Sequence, residues 1–326
     1  MATAVCVTGA PRSLFLRFPR EVKPPNPSQS SLPIWHNHDW AGPMDPSFPS
    51  WFEPSMAVAR SIVNNVLRVL ASSGGYDLFV VEPGDRHDSR WELFRLPAAS
   101  SNVSENRVFV RLGGGEPELP YNRSSAAFQR FYYVAKQYPR PDDFIQQMLW
   151  QYRHLQMCNE AVEASGVAYA YKMRLRPDLA WVAPIPPLDS LNLGKHSVHF
   201  SSLKTPDHYG VHEDSFAVGR TRAMDTYFRL YDGLAAGQIA ARDGGELCHR
   251  CIWTAEAAVV GAMRRERIEL AQDRAFRATL VRAADYVQGK RPQLTSGGGA
   301  AGTTPRAFTR HGSMTARLPE GWVELS

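Results

Sequence analysis

The sequence predicts an α/β protein built on a single open, mostly parallel, Rossmann-like sheet with helices on both faces. Short apolar runs, typical of buried strands, alternate along the chain with segments whose apolar residues recur at helical spacing. Strands that alternate with helices pair in parallel through right-handed crossovers. We therefore expect the functional side chains where strands end and helices begin.

The amino-terminal part of the chain predicts a strand, a helix and a second strand. The apolar run 4–8 indicates a buried strand, and Gly9 begins the turn residues that end it. Apolar positions from Val58 to Leu70 recur on one face of a helix, which a pair of glycines terminates. The run 76–81 then predicts the second strand.

The middle of the chain repeats this alternation. The run 107–112 predicts a third strand, followed by three glycines. Apolar positions from Ile145 to Leu155 predict a long amphipathic helix that a serine and a glycine terminate. The next strand, 168–175, leads directly into a charged motif.

Later elements have weaker signals. Residues 199–201 predict a short strand, and residues 215–219 form a short apolar segment after a turn. Helices are expected from Met224 to Tyr231 and over residues 253–263.

The predicted organisation is one GT-A-like α/β domain over residues 1–294 and a flexible, glycine-rich tail over 295–326. A segment rich in proline and tryptophan, about residues 18–54, shows neither strand nor helix periodicity and is expected to be an irregular insertion. The tail is expected to remain flexible because its composition buries too little apolar surface.

Charge and hydropathy exclude some classes of function. The formal charge of +5 is spread along the 326 residues, which favours anionic small molecules mildly and does not indicate nucleic-acid binding. We expect no membrane span, because no apolar run approaches the roughly eighteen residues that a membrane helix requires.

The cysteines bear on the compartment. Four cysteines, Cys6, Cys158, Cys248 and Cys251, are too few and too scattered for a disulfide scaffold. A reducing compartment such as the cytoplasm is therefore the default expectation. Glycosylation triplets at Asn102 and Asn122 keep the lumen of the secretory pathway open as the alternative.

The strongest local motif follows the predicted strand 168–175. Arg174 and Arg176 share one face of that strand, and Asp178 follows at its carboxyl end. Two guanidinium groups beside a carboxylate can hold a diphosphate while the carboxylate binds a divalent cation. The alternative is an Arg–Asp ion pair that only fixes a loop.

A second motif, Glu213-Asp214, precedes a short apolar segment and a helix. Either carboxylate can act as a general base on an acceptor hydroxyl or contribute to a metal site. A purely structural role in a turn is the alternative.

A third motif, Thr8-Gly9-Ala10-Pro11-Arg12-Ser13, follows the first strand. Its small residues allow backbone amides to approach phosphate groups, and Arg12 adds a positive charge. The motif lacks the lysine of a P-loop and the three glycines of the dinucleotide fingerprint. An ordinary turn that ends a strand is the alternative.

The order of these motifs resembles a known family. The segments 5–13, 76–80, 174–179 and 214–220 together are similar to a plant and algal family of glycosyltransferase-like proteins. More distantly, they are similar to bacterial lipopolysaccharide-synthesis proteins of the WavE type. The resemblance covers residues 4–17 and 58–270.

This resemblance implies a GT-A glycosyltransferase, in which a nucleotide-sugar lies over the first strand and an acidic motif binds Mn²⁺ or Mg²⁺. By position, Thr8, Gly9 and Arg12 would lie near the nucleotide. Asp178 would stand at the end of the acidic motif, and Asp214 would lie near the acceptor hydroxyl.

The chain departs from that pattern at one position. Arg176 occupies the place of the first acid of the usual Asp-x-Asp motif, so the motif here has one carboxylate where the family has two. Arg174 or Arg176 would instead neutralise the leaving diphosphate, since fixed cations stabilise charge that develops in a transition state.

Two other functions compete with glycosyl transfer. The turn from Gly9 to Ser13 is similar to the phosphosulfate loop of sulfotransferases, although that loop continues with Gly-Thr and this chain continues with Leu14-Phe15. A carbohydrate-binding protein without catalysis is the third hypothesis, because tryptophans stack on sugar faces. The candidate tryptophans are Trp35, Trp40, Trp51 and Trp181.

The sequence therefore predicts transfer of a sugar from a nucleotide-sugar donor to a hydroxyl acceptor. One geometric condition follows from this hypothesis. Asp178 and Asp214 must converge beside the amino-terminal turn.

Overall fold

The fold was analysed in a computed structural model of the chain. The structure describes residues 2–9, 57–82, 89–97, 106–112, 118–125, 141–181, 183–201, 215–236, 255–273, 275–280 and 318–325. The Pro/Trp-rich segment predicted as an insertion lies outside these residues.

The described residues form an eight-stranded mixed sheet and a separate two-stranded sheet. The strands are β1 (Thr3–Thr8), β2 (Tyr76–Glu82), β3 (Arg107–Leu112), β4 (Tyr171–Leu175), β5 (Leu179–Trp181), β6 (Ser197–Ser201), β7 (Phe216–Arg220), β8 (Glu269–Asp273), β9 (Ala278–Leu280) and β10 (Trp322–Leu325). The large sheet has the order β10-β3-β2-β1-β4-β7-β6-β8, and β5 pairs with β9.

Most neighbours in the large sheet are parallel. β1 pairs in parallel with both β2 and β4, β2 with β3, and β6 with β8. β7 is antiparallel to β4 and β6, and β10 is antiparallel to β3. The open, mostly parallel α/β sheet expected from the sequence is thereby confirmed.

Helices cover both faces of this sheet. They are α1 (Ala57–Ile62), α2 (Arg68–Ser73), α3 (Pro141–Ala164), α4 (Thr221–Phe228), α5 (Leu230–Ala235) and α6 (Ala255–Arg265). A π-helical turn, Val63–Leu67, joins α1 to α2, so the predicted helix over this region is continuous. Gly74, at φ +142°, ends it as expected, because a glycine adopts this backbone conformation without strain.

Two apolar cores lie on opposite sides of the sheet because strand residues alternate between its faces. Val5 and Val7 of β1 pack with Val58 and Val66 on the α1–α2 side. Ala4 and Cys6, the alternate residues of the same strand, pack with α3 on the other side. All six residues of β1 are buried, as expected for a central strand of a sheet covered on both faces.

A disulfide joins Cys6 of β1 to Cys158 of α3. Both residues have no exposed surface, so the bond lies in the core between sheet and helix. The expectation of four reduced, scattered cysteines is therefore wrong for this pair, because residues 152 positions apart become neighbours only in the folded chain. Cys248 and Cys251 lie outside the described residues.

The carboxyl-terminal segment differs from the expectation. The sequence predicted a flexible tail over 295–326, but within it the structure describes 318–325, where β10 pairs with β3. Leu325 is buried in one core, and the Trp322 ring packs edge-on against Phe79. The glycine-rich composition applies to the segment before this strand and does not predict the structure of the strand itself.

Within the described residues, none of the helices combines the length and the apolar composition needed to cross a lipid bilayer.

Candidate functional site at the carboxyl edge of the sheet

The strand order changes direction at β1. The chain adds β2 and β3 on one side of β1, and it places β4 on the other side. In open α/β sheets ligands bind in the crevice outside the carboxyl ends of the strands, at the point where the order reverses. The boundary between β1 and β4 is that point in this chain.

The turn after β1 and the motif after β4 meet at this point. Val7 is the register partner of Leu175, so the two strands end side by side. Gly9 has a φ of +122°, and a Cβ built on it would lie 3.5 Å from Cδ of Pro177. The expected proximity of the amino-terminal turn to the motif at 176–178 is therefore present.

Arg176 and Asp178 form a bidentate ion pair. The Nε of Arg176 donates to one carboxylate oxygen at 2.9 Å, and its second terminal nitrogen donates to the other at 2.7 Å. The side chain of Arg176 is 27% exposed and that of Asp178 is 15% exposed, so solvent and small solutes can reach the pair. This is the Arg–Asp ion pair that the sequence left open as the alternative to a diphosphate site.

Ser215, the residue before β7, also lies at this edge. β7 runs antiparallel to β4, so its amino end lies beside the carboxyl end of β4. The backbone amide of Arg176 donates to the carbonyl of Ser215 at 3.2 Å. Asp214, which precedes Ser215 in sequence, and Glu213 lie outside the described residues, as does Arg12.

Two buried cations lie beneath the edge on the face covered by α3 and α4. Arg174 is 1% exposed, donates to the Tyr227 hydroxyl at 2.5 Å and lies over the ring of that tyrosine. Lys172 is 2% exposed and donates to Asn159 and to the carboxylate of Asp225. Arg174 therefore contacts the helix layer, unlike the more exposed Arg176.

Two buried hydroxyl groups lie at this edge: that of Thr8, which the family resemblance placed near the nucleotide, and that of Ser215, which was not among the candidates from the sequence. Thr8 is 2% exposed and Ser215 is fully buried. Neither hydroxyl has a hydrogen-bond partner among the parts of the chain that the structure describes. Buried polar groups are normally paired, so such positions call for a bound water or ligand. No sequence signal distinguishes Ser215 from other small polar residues at strand ends.

A similar ion pair at the opposite edge of the sheet serves as a structural reference. Arg107, the first residue of β3, donates to both oxygens of Asp77 at 3.0 and 2.6 Å. Tyr169 also donates to Asp77. Burial, followed by the negative charge of Asp77, raises the pKa of Tyr169 above its usual range.

The structure bears on two other candidates from the sequence. Trp181 is fully buried and packs edge-on against Phe216, so it belongs to the core and does not present a sugar-stacking surface. The other candidate tryptophans lie outside the described residues. Over the described ranges, no group of three histidine, cysteine, aspartate or glutamate side chains is arranged to hold a metal ion.

Comparison of the chain with models of protein families and with curated proteins found no match to either.

Proposed function

We propose that the chain binds a nucleotide-sugar at the boundary between β1 and β4 and transfers its sugar to a hydroxyl acceptor. The observation that carries this proposal is the proximity of Gly9 to Pro177, which places the turn after β1 beside the motif after β4 at the point of strand-order reversal. The GT-A assignment is part of the same proposal.

Charge supports a diphosphate as the bound group. Arg176 carries a partly exposed guanidinium at the edge, and such a group binds phosphate oxygens through paired hydrogen bonds. Asp178 holds it in place when no donor is bound. We propose that the diphosphate replaces Asp178 as the partner of Arg176. Arg174, buried on the preceding strand, adds positive potential without direct contact.

The described residues do not fit the Mn²⁺ or Mg²⁺ site that the family resemblance implies. Asp178 already accepts two hydrogen bonds from a cation, and the described part of the chain brings no two further acidic or metal-binding side chains to it. Magnesium and calcium sites in proteins are built from several oxygen ligands. We therefore assign charge neutralisation to Arg176 and derive no step through a metal.

The proposed reaction balances with the chain's own residues. The bond between the anomeric carbon and the diphosphate oxygen breaks, and the diphosphate leaves with the electron pair. A bond forms between the acceptor oxygen and the anomeric carbon, and Asp214 or Glu213 accepts the proton of the acceptor hydroxyl. Arg176 stabilises the charge that develops on the leaving group.

Calorimetry with uridine and guanosine diphosphate sugars tests the donor site. We expect Arg176→Gln to weaken binding at least tenfold, because one charge-assisted contact to phosphate is lost, equivalent to about 1.4 kcal/mol. Asp178→Asn should also change the affinity. If both variants bind like the wild type, the donor-site assignment is wrong.

Arg107→Gln is the matched control, because Arg107 makes the same bidentate contact at the opposite edge. It should leave nucleotide affinity unchanged. If both arginine variants lose nucleotide-sugar affinity equally, the loss reflects lower stability of the fold, and the proposal is contradicted. Stabilisation by adenosine 3′,5′-bisphosphate but by no nucleotide-sugar would favour the sulfotransferase hypothesis, since a ligand that binds only the folded state raises the melting temperature.

A further inference from the structure

The disulfide between Cys6 and Cys158 has a consequence for the compartment. Both sulfurs lie in the core between β1 and α3, and neither residue is exposed. Disulfides form and persist in oxidising environments and are rare in the cytosol, where thiols are kept reduced. The bond therefore favours the secretory lumen, the second compartment that the sequence left open.

An independent observation comes from the surface turn that contains Asn122. Asn122, Arg123 and Ser124 form a glycosylation triplet, and all three residues are exposed. The backbone amide of Asn122 donates to the carbonyl of Ala235 at 2.8 Å, which ties the turn to the end of α5. Glycosylated asparagines lie on exposed surface positions of secreted proteins.

The side chain of Asn122 is arranged so that its amide nitrogen remains available. Its carbonyl oxygen accepts a hydrogen bond from the backbone amide of Ser124 at 3.1 Å, the pattern of an Asx-turn. Its amide nitrogen, the atom that carries an N-linked glycan, makes no hydrogen bond to any of the described residues. The neighbouring Arg123 pairs with Glu118 at 2.9 Å and lies over the Tyr121 ring.

We propose that this chain folds in an oxidising, glycosylating lumen and carries an N-linked glycan on Asn122. Two thiols, of Cys6 and Cys158, lose two protons and two electrons to the disulfide-forming oxidants of that compartment. The glycan comes from an oligosaccharide linked to a lipid diphosphate. A bond forms between the Asn122 amide nitrogen and the anomeric carbon, the carbon–diphosphate bond breaks, and the amide proton leaves to a base of the transferring enzyme.

The experiment uses the full chain made in its own source cells. The purified protein is treated with an amidase that removes N-linked glycans, and its mobility is compared before and after treatment. The wild type should shift by the mass of one glycan, and the enzyme should convert this asparagine to aspartate in the tryptic peptide. The Asn122→Gln and Ser124→Ala variants should lack the mass that the glycan adds at this site in the untreated wild type.

Arg123→Lys is the matched control, because it changes the same turn but preserves the acceptor triplet; it should be modified like the wild type. Modification that persists in Asn122→Gln and disappears in Asn102→Gln would overturn the assignment to Asn122. A wild-type chain without any glycan would also overturn it.

Thiol labelling of the denatured protein tests the compartment separately. Cys6 and Cys158 should react with a maleimide only after reduction. Labelling of both cysteines without prior reduction would overturn the proposal, whatever the state of the glycan. These readouts do not involve nucleotide binding, so their failure is distinguishable from failure of the proposed function.

Discussion

Gly9 and Pro177 lie against each other across the boundary between β1 and β4, although 168 positions of sequence separate them. A Cβ on Gly9 would reach ordinary van der Waals distance of the proline ring, at 3.5 Å. The obstacle to a side chain is therefore the backbone, whose φ of +122° is rarely adopted by other residues.

This backbone conformation makes Gly9→Ala a first test. We expect a loss of about 1 to 3 kcal/mol in the free energy of unfolding, the usual cost of a strained backbone position. Nucleotide-sugar affinity should fall as well, because the turn moves. Gly321→Ala is the control, since Gly321 also has a positive φ of +88° but precedes β10. Gly321→Ala should lower stability without changing nucleotide affinity. An equal loss of affinity in this variant would contradict the placement of the nucleotide site at the Gly9 turn.

The Arg176–Asp178 pair predicts a measurable coupling energy. Because the pair is bidentate and only partly exposed, Arg176→Gln and Asp178→Asn together should cost about 1 kcal/mol less than the sum of the single changes. Urea unfolding of the four proteins measures this cycle. Additive effects would show that the contact does not hold the loop.

The buried amine of Lys172 predicts a large effect of Asp225→Asn. This change removes the carboxylate that balances a lysine only 2% exposed, and we expect a loss of about 2 kcal/mol in the free energy of unfolding, reduced from the fully buried case because Asp225 is 30% exposed. Asp232→Asn on the next helix is the control, because its carboxylate accepts an exposed hydrogen bond from Gln156. Its cost should stay below about 0.5 kcal/mol. Similar losses in the two variants would contradict the role of the buried charge.

The disulfide should contribute strongly to stability. Replacing both Cys6 and Cys158 with alanine is expected to cost about 2 to 5 kcal/mol, the range for loss of a native disulfide. Reduction of the wild type should lower its urea midpoint to a comparable extent. A midpoint insensitive to reductant would show that this bond is absent from the protein in solution.

Alkaline pH should destabilise the protein through its buried tyrosines. Burial raises the pKa of Tyr76, and burial together with Asp77 raises that of Tyr169. Above the ordinary tyrosine pKa of about 10 the unfolded chain loses these protons while the folded chain retains them, so the stabilisation is complete below about pH 10 and decreases above it.

Each tyrosine contributes at most about 1.4 kcal/mol per pH unit to this loss. Tyr169→Phe should therefore lose less stability between about pH 10 and 11 than the wild type, while the two proteins show the same slope near pH 8. Urea unfolding at each pH measures the difference. An unchanged alkaline slope in the variant would show that Tyr169 does not titrate in this way.

The central part of the fold was predictable because its signals are local. β1, β2 and β3 are short apolar runs, and the helix before β2 ends at glycines that adopt positive φ. The carboxyl-edge placement of Arg176 and Asp178 followed from the same alternation. The sequence also offered the ion pair as an alternative, and the described structure contains it.

Other features depend on contacts between distant parts of the chain. β8 contains Glu269, Gln272 and Asp273 and lacks the apolar run of a central strand; it forms by pairing with β6 at one side of the sheet. β10 follows a glycine-rich stretch and is stabilised by pairing with β3. The unpaired hydroxyls of Thr8 and Ser215 become informative only when burial is known.

The Cys6–Cys158 bond also affects how proteolytic cleavage of the chain would be detected. β2 and β3 lie between the two cysteines in sequence, within the segment that the bond closes into a covalent loop. A protease that cuts once anywhere inside this loop leaves two fragments that stay joined. Such a nicked molecule would migrate as one chain on a denaturing gel until a reductant separates its halves.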